Sequence, residues 1–429
     1  MSAKELFVYR LTHLAPQLVG HISRDGSSFA YSDAYLNDPS SMPLSASLPL
    51  QTKPYSAHEL RPYFEGLLSE GFSRRALAAE LQLPEDDWMA LLIACGKECI
   101  GDVLICEGAY TAEHDTSCYK SIDLNELRST FRNLTTISEN NIGLRLSLAG
   151  VQGKTGLAHD PERPIDQGWL RPIGLAATTH ILKTSPLRDI PELEFLCMSA
   201  AAECDIASAS VSLLDLGTPV LAVERFDRHV TVNNEELRVE RIHQEDLSQA
   251  YGMTPGSKYA ELPGGSVASI ARLLRLHSAR PTRDLAQFAH VLIFCYIIGN
   301  CDAHLKNYSL LTQTSHSGDR TIFSLSPAYD LVCTTRYPKF SRDLAMELGG
   351  TRAIDKIEAQ NFTELAHSLG ITPAALKSLA RPLVEKTVPA ILNAGQGLRG
   401  AVLESTPYVA EDLIEDVAPR LAVLEAWCG

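Results

Sequence analysis

The sequence lacks the patterns that would mark a membrane or secreted protein. It has no run of about eighteen apolar residues, the length needed to span a bilayer. Its first residues, MSAKELFVYR, lack the apolar segment and the small-residue cleavage site of a secretory signal. We therefore expect a cytoplasmic protein that makes no contact with a membrane.

Paired cysteines and basic clusters are scarce as well. The ten cysteines form no CxxC pair, so we predict neither a zinc site nor a disulfide framework. Only 38 Lys and Arg stand against 52 Asp and Glu, which gives a net charge of -14. Because phosphate neutralisation needs clustered Lys and Arg, the isolated chain is expected to bind DNA poorly, and only through a basic partner. The 429 residues are enough for two or three domains.

A nine-residue stretch, GNCDAHLKN at 299–307, carries the clearest chemical signal. It follows the strongly apolar run 284–298, which predicts a buried helix, and it places Asp302 and Asn307 five positions apart. In phosphoryl-transfer enzymes, an Asp in this pattern accepts the proton of the substrate hydroxyl and the Asn holds Mg²⁺. Lys306, between them, could reach a transferring phosphoryl group. The spacing alone is weak, because Asp and Asn are also ordinary turn residues.

A second metal-binding carboxylate is expected after a short hairpin. The runs NYSLLT and TIFSLS predict two strands, joined by a polar loop at 315–319. Such a hairpin would bring Asp330 back beside the loop that carries Asp302. The sequence therefore predicts Asn307 and Asp330 as a pair of oxygen ligands.

A candidate phosphate-binding loop lies earlier in the chain. Residues 145–160 predict a strand, a glycine-containing loop and a second strand. Gly150 and Gly153 would let backbone N–H groups approach a polyphosphate, and Lys154 could add a positive charge. The stretch is not a Walker A loop, and a plain glycine hairpin fits it equally well.

A lysine and a glutamate complete the pattern. Lys183 stands near the end of the predicted strand 178–184, and Glu194 stands in the first turn of the predicted helix 191–204. In kinases a strand lysine contacts the α- and β-phosphates and is steered by a helix glutamate. The alternative is a solvated lysine and a glutamate favoured only by the helix dipole. The strand at 219–228 stands where a kinase would have the hinge that reads adenine.

Six motifs, in this order, resemble those of the HipA family of bacterial serine/threonine kinase toxins, and the resemblance covers essentially the whole chain. They are SLAGVQGKT, THILK, AVERFDR, HQED, CDAHLKN and SPAYDL. The resemblance implies an α+β fold in which a two-lobed, kinase-like catalytic portion with a helical C-terminal lobe follows an N-terminal β-rich domain with helices. We place the N-terminal domain at 1–135, the kinase-like N-lobe at 136–240 and the helical C-terminal lobe at 241–429.

The resemblance also implies an activity and partners. Members phosphorylate a protein with ATP and Mg²⁺ and arrest growth, and aminoacyl-tRNA synthetases are the expected substrate class. A small helix-turn-helix antitoxin, similar to HipB, would restrain the chain and carry it to DNA. Two alternatives stay open at this point: a small-molecule phosphotransferase, whose catalytic loop shares the Asp and Asn spacing, and a non-catalytic corepressor that acts through a DNA-binding partner.

Residue roles carry over from the family motifs onto matching positions. Asp302 would be the base, Asn307 and Asp330 the Mg²⁺ ligands, Lys183 the phosphate lysine and Ser147 the autophosphorylated serine, with Glu194 and Gln244 in support. The remaining nucleotide contacts would be Ala149, Gly150, Val151, Gln152, Gly153 and Lys154 in the loop, Glu224, Arg225 and Phe226 in the hinge, and His304, Leu305, Lys306 and Tyr329. Unlike in eukaryotic kinases, the predicted N-lobe has no GxGxxG loop, and Leu331 and Val332 stand where Phe-Gly would follow Asp330. These departures are compatible with the family.

Overall fold

The computed structural model describes residues 5–11, 16–96, 99–110, 117–139, 153–233, 236–314 and 321–429. These ranges mix helices and strands, as the predicted α+β class requires. The strands are β1 (Glu5–Arg10), β2 (Gln17–Ser23), β3 (Ser28–Tyr31), β4 (Tyr55–Ser56), β5 (Val103–Cys106), β6 (Cys118–Ser121), β7 (Gly153–His159), β8 (Trp169–Ile173), β9 (His180–Thr184), β10 (Val211–Asp215), β11 (Pro219–Glu224), β12 (Arg228–Asn233), β13 (Glu236–Arg241), β14 (His243–Asp246), β15 (Ser309–Thr314), β16 (Thr321–Leu325), β17 (Asp343–Leu348) and β18 (Thr351–Ala353). The helices are α1 (Asp33–Asn37), α2 (Ala57–Gly66), α3 (Gly71–Glu80), α4 (Trp88–Cys95), α5 (Leu124–Glu139), α6 (Ile190–Glu203), α7 (Leu247–Ala250), α8 (Ser266–His277), α9 (Pro281–Ile298), α10 (Ala359–Leu369), α11 (Pro373–Ala394) and α12 (Thr406–Cys428).

The N-terminal part is an antiparallel sheet covered by helices. Its strand order is β4-β3-β2-β1-β5. The alternation of β1 buries Leu6 and Val8, which pack in one core with residues of α2 and α4. Alternating runs at 4–11 and 18–31, with Arg24-Asp25-Gly26 as a turn, predict a small antiparallel sheet. In the structure this turn joins β2 to β3, where Gly26 has a φ of 70°. The small antiparallel start that the sequence predicts is therefore confirmed.

The second sheet positions the lysines of the site. Its order is β10-β11-β9-β7-β8-β6, and the pairs within it are antiparallel. In this register Lys154 on β7 stands opposite Lys183 on β9. Helix α6 buries nearly its whole length against this sheet and the helices behind it, so the predicted helix 191–204 is confirmed within one residue at each end.

The C-terminal part is largely helical, and α9 runs through its core. Of its eighteen residues, twelve are buried, which agrees with the predicted all-round apolar helix. Thr372 caps α11 by accepting a hydrogen bond from the amide of Ala375, 3.2 Å away, as the Thr-Pro pair predicts. The predicted hairpin forms β15 and β16, with β14 completing a three-stranded sheet; its loop at 315–319 lies outside the described residues. Within the described ranges, each helix is too short or too polar to cross a bilayer.

The N-terminal part packs against the rest of the chain through buried polar contacts. His243 on β14 lies between the Asp102 carboxylate, 2.6 Å away, and the Leu44 carbonyl, 2.9 Å away. Ser45 donates to the buried Glu245 carboxylate at 2.5 Å, and burial raises the pKa of Glu245 to about 7. The prolines of PLSASLPL at 43–50 predict an extended edge or linker, because proline cannot donate to a central ladder. The stretch instead contains a turn that lies on β14, held by hydrogen bonds to Glu245.

Candidate active site

The loop that follows α9 is fixed by the way the helix ends. Gly299 ends α9 with a φ of 72°, and a Cβ at this position would lie 2.2 Å from the Thr335 hydroxyl. Only glycine fits both the backbone and the space. From behind, Arg420 on α12 donates from Nε to the Ile297 carbonyl at 2.9 Å. The predicted catalytic loop is therefore held in place by elements far away along the chain.

Asn300 ties the loop to the segment that carries Asp330. Its side-chain nitrogen donates to the Asp330 carbonyl at 3.2 Å, and its side-chain oxygen accepts from the Asp302 amide at 3.0 Å. Farther along, the Asn307 nitrogen donates to the Asp302 carbonyl at 3.0 Å. The three candidate residues Asp302, Asn307 and Asp330 are thus joined by one short hydrogen-bond network.

Asp302 is an enclosed carboxylate. Burial raises the pKa of Asp302 above its usual range, and the Tyr259 hydroxyl, which donates to its Oδ1, opposes that rise. A carboxylate with a raised pKa is a better proton acceptor than an exposed aspartate. At the position that the sequence predicts for a base, burial therefore favours uptake of a proton.

Lys183 is the most tightly held cation of the site. Its ammonium group lies 2.6 Å from Glu194 Oε1 and also contacts Asp330 Oδ1, and its side chain is only 7% exposed. Burial alone would lower the pKa of Lys183, but Asp330 and Glu194 raise it above the usual value for a lysine. Burial raises the pKa of Glu194, whereas Lys183 and Lys154 outweigh burial at Asp330 and lower its pKa. The alternative of a solvated strand-end lysine is wrong.

Asp330 and Asn307 offer the oxygen atoms that Mg²⁺ prefers. Asp330 supplies a carboxylate, and Asn307 supplies a side-chain oxygen, because the contact of Asn307 with Asp302 is made by its side-chain nitrogen. Asp330 has a φ of 54°, a left-handed conformation that costs about 1–3 kcal/mol in a residue with a side chain and is common at functional sites. Three-residue clusters of His, Cys, Asp or Glu suited to a metal are absent from the described residues, so a cation here would need other ligands. The donor set fits Mg²⁺ bound together with phosphate groups.

Lys306 has a different place from the one its sequence position suggests. Its ammonium group lies 2.9 Å from Asp246 and 3.1 Å from Glu70, and it donates to the Gly66 carbonyl at 3.3 Å. Because two carboxylates already neutralise Lys306, it is not a free cation beside a transferring phosphoryl group. It links the loop to the N-terminal part instead. Leu305 beside it is fully buried in the core.

Gln244 on β14 and Tyr329, which follows β16, support the loop through Ser309 on β15. Gln244 donates to the Ser309 hydroxyl at 3.0 Å, and that hydroxyl lies 2.6 Å from the Tyr329 hydroxyl. Tyr329 in turn donates to the Lys306 carbonyl at 2.8 Å. The predicted supporting role of Gln244 therefore has a physical route through one hydroxyl network to the catalytic loop.

The predicted hinge lies at the end of β11. The amides of Glu224 and Arg225 donate to the carbonyls of Ser210 and Thr179, each at 2.9 Å. The Phe226 amide makes no backbone hydrogen bond to the described residues, and its ring lies 5.3 Å from the Tyr329 ring. Phe226 is thus the residue of this trio whose amide remains available to a ligand.

The phosphate-loop prediction falls only partly on described residues. Ser147, Ala149, Gly150, Val151 and Gln152 lie outside them. Gly153 begins β7, and burial lowers the pKa of Lys154 although Asp330 opposes this effect.

His304 is buried, its Nδ1 has no hydrogen-bond partner among the described residues, and burial lowers its pKa to about 3. A neutral, unsatisfied ring nitrogen beside Asp302 is available to a polar ligand.

The sequence interpretation missed four residues that touch this site. Asp246 and Glu70 hold Lys306, Lys258 lies 2.8 Å from Glu70, and Tyr259 contacts Asp302. Asp246 belongs to the HQED motif, but the sequence prediction assigned a role in the site only to Gln244 of that motif. Glu70 lies in PYFEGLLSEG at 62–71, a stretch that shares the family resemblance but from which no residue role was predicted. Lys258 and Tyr259 lie in segments without any motif, so only the fold reveals them.

The fold and this site are those of a two-lobed, kinase-like protein. The family model for the HipA N-terminal domain matches residues 11–106, and the model for the HipA-like C-terminal domain matches residues 146–391. The chain belongs to the HipA family.

Individual relatives are similar to this chain over nearly its whole length. The chain is 33% identical over 389 residues to "Putative kinase Y4mE" of Sinorhizobium fredii, covering 87% of this chain and 89% of the relative. It is 27% identical to the serine/threonine-protein kinase toxin HipA of Shewanella oneidensis, over 97% of this chain and 94% of the toxin. A solved Shewanella oneidensis complex of HipA, HipB and operator DNA contains a chain that matches this fold with a TM-score of 0.82, at 22% identity and 99% coverage of both chains. The predicted family and fold class are confirmed.

Proposed function

We propose that this chain is an ATP- and Mg²⁺-dependent serine/threonine protein kinase that acts as the toxin of a toxin–antitoxin pair. The observation that carries the proposal is Lys183 on β9, which bridges Glu194 on α6 and Asp330. Asn300 in turn ties Asp330 to the loop of Asp302 and Asn307. A lysine–glutamate pair and a metal-binding aspartate must both be in place for phosphoryl transfer in kinases. A corepressor without activity would not need this buried ion pair.

Each residue would have a chemical task. Asp302 would accept the proton of the acceptor hydroxyl, and Lys183 would bind phosphate oxygens. Mg²⁺, held by Asn307 and Asp330, would neutralise charge on the phosphates. The amide of Phe226 and the unsatisfied Nδ1 of His304 are polar groups that could face the nucleotide.

The acceptor would be a protein hydroxyl, and an aminoacyl-tRNA synthetase is the substrate class we propose. The partner would be a small helix-turn-helix antitoxin, because the solved relative is bound to HipB and its operator DNA. A net charge of -14 favours a basic partner between this chain and DNA. The whole-chain coverage of the kinase relatives supports the same activity here.

The proposed activity is tested with Asp302→Asn, which removes the base without changing side-chain volume. Incubation of the purified chain with radiolabelled ATP and Mg²⁺ should label protein, and the variant should lower the rate by about 10²- to 10⁴-fold. Asp343→Asn is the matched control, since Asp343 is an exposed aspartate on β17. A folded Asp302→Asn variant with full activity would show that Asp302 is not the base.

Ser147 is the proposed site of self-inactivation. It directly precedes the proposed phosphate loop in sequence, and phosphorylation would add a charge of roughly -1.5 to -2 where ATP phosphates must bind. Mass spectrometry after incubation with Mg²⁺-ATP should find phosphate on Ser147 in the active protein and none in Asp302→Asn incubated alone. An unmodified Ser147 in the active enzyme, or a modified one in the inactive variant, would refute self-inactivation.

A further inference from the structure

The segment between α7 and α8 covers the catalytic loop. Within it, Tyr259 donates its hydroxyl hydrogen bond to Oδ1 of Asp302, and its ring packs edge-to-face on His304 with the centroids 5.0 Å apart. The Tyr259 side chain is nevertheless 39% exposed, so the ring lies at the mouth of the site and not inside the core. A phenol therefore reaches the proposed base from the solvent side.

This placement of Tyr259 is built by contacts on both sides of it. Arg352 on β18 donates to the Tyr259 carbonyl at 3.1 Å and to the Glu261 carboxylate at 2.6 Å. On the other side, Lys258 binds Glu70 at 2.8 Å. The backbone next to the tyrosine is thus anchored, whereas the hydroxyl contact itself can be exchanged by a rotation of one side chain.

The contact that Tyr259 makes is the contact that an acceptor needs. A general base must accept a hydrogen bond from the hydroxyl that it will deprotonate, at about 2.6–3.2 Å. Tyr259 offers the same kind of donor to the same carboxylate oxygen. Because a phenol and an acceptor hydroxyl cannot both occupy one position at Oδ1, binding of one excludes the other.

We propose that the acceptor hydroxyl binds at Asp302 beside His304, and that Tyr259 fills this position until a hydroxyl-bearing segment of a protein substrate displaces it. The inference rests on the proposed kinase function and deepens it, since it assigns the acceptor site and a residue that competes for it. Tyr259 is not itself an acceptor here. Glu261 and Arg352 keep it at the mouth of the site, so that it can return after each transfer.

The test is Tyr259→Phe, which removes the hydroxyl and keeps the ring on His304. We expect the KM for dephosphorylated casein, used as a surrogate acceptor, to fall about 10-fold, because a hydrogen bond to a charged group no longer has to be broken. The KM for Mg²⁺-ATP should change less than about 2-fold, since Tyr259 lies on the acceptor side. ATP hydrolysis without casein should also rise, because water gains access to Asp302.

Tyr408→Phe is the matched control, because Tyr408 is 68% exposed on α12 and distant in sequence from the loop. An active wild type with an unchanged casein KM in Tyr259→Phe would overturn the displacement alone. A lower kcat in Tyr259→Phe would make Tyr259 a positioning residue for the base, and phosphate on Tyr259 itself would make it an acceptor; either result would overturn the inference. If the folded wild type and variant transfer phosphate neither to casein nor to water, the proposed kinase function fails, and the acceptor site with it.

Discussion

Asp330 makes two contacts in the site, one through its side chain and one through its backbone. Its carboxylate contacts Lys183, and its backbone has a left-handed φ of 54° that brings its carbonyl to Asn300. The surrounding contacts must offset a backbone cost of about 1–3 kcal/mol. Such strain is common at functional sites, and here it accompanies a carboxylate oxygen that is directed at Lys183.

Replacing either proposed metal ligand should weaken nucleotide binding. We expect Asp330→Asn and Asn307→Ala each to lower the affinity for Mg²⁺-ATP by at least about 10-fold, because the metal loses an oxygen ligand that holds it against the phosphates. Isothermal titration calorimetry measures the affinity, with ATP in the absence of Mg²⁺ as a second titration. The Asp343→Asn variant should bind like the wild type. Unchanged Mg²⁺-ATP affinity in both ligand variants would contradict the assignment.

At the residue scale, the sequence predicted what local spacing can encode. Asp302 and Asn307 lie in one loop, and their separation already constrains the distance between them. The partners of Lys306 could not be read in the same way, because Glu70 reaches the loop from a helix in another part of the chain. Contacts between segments with large sequence separation follow from packing and not from spacing.

At the scale of elements, the N-terminus of α3 delivers a charge to the catalytic loop. Glu70 is the N-cap residue of α3, and its carboxylate lies between Lys306 and Lys258. Burial alone would raise the pKa of Glu70, but Lys306 and Lys258 lower it from 4.5 to about 2. The ionised carboxylate is therefore favoured in the folded protein.

Glu70→Gln should remove a pH-dependent part of the stability. A carboxylate whose pKa is lowered on folding stabilises the protein above its unfolded pKa and loses that effect as the pH falls through its folded pKa. For Glu70 the window runs from about pH 4.5 down to about pH 2, and the full effect is about 3 kcal/mol. Urea unfolding at pH 7 should thus show a destabilised variant, and the difference from the wild type should shrink towards pH 3.

The control for this prediction is Glu80→Gln, because Glu80 is exposed at the other end of α3. It should change the free energy of unfolding little at either pH. A difference between wild type and Glu70→Gln that stays constant from pH 7 to pH 3 would show that the loss comes from packing and not from the ionised carboxylate.

Elements were predictable where a long apolar run dominates. Helices α6 and α9 match their predicted ranges to within three residues, because their mostly apolar runs are longer than a strand usually is. The stretch around Ser45 was not predictable in this way. Its prolines suggested an edge or a linker, whereas the buried Glu245 carboxylate fixes it as a turn.

At the scale of the whole molecule, the net charge bears on DNA binding. The net charge of -14 opposes approach to the DNA backbone, and at the site the ammonium groups of Lys183 and Lys306 are already neutralised by carboxylates. This property belongs to the sum of the sequence and could be predicted from composition alone. The identity of the protein target could not, because it depends on surfaces that no short motif records.

The isolated chain should therefore bind duplex DNA weakly. In fluorescence anisotropy at near-physiological salt, we expect a Kd weaker than about 10⁻⁵ M, because few counterions would be released. Addition of a basic helix-turn-helix partner should tighten binding, and the bound complex should then show the salt dependence of phosphate contacts. Tight, salt-sensitive binding by the chain alone would refute the prediction.

Arg420 supports the catalytic loop, but it is synthesised later than the loop. Arg420 and the Ile297 carbonyl that it holds are 123 positions apart. At about 5–20 residues per second, a ribosome needs about 6–25 seconds to synthesise the chain between them. During this interval the nascent chain has made the loop but not the helix that supports it. We therefore expect the proposed phosphotransfer to begin only after α12 has emerged, which would give the proposed partner a period in which to bind the chain before it becomes active.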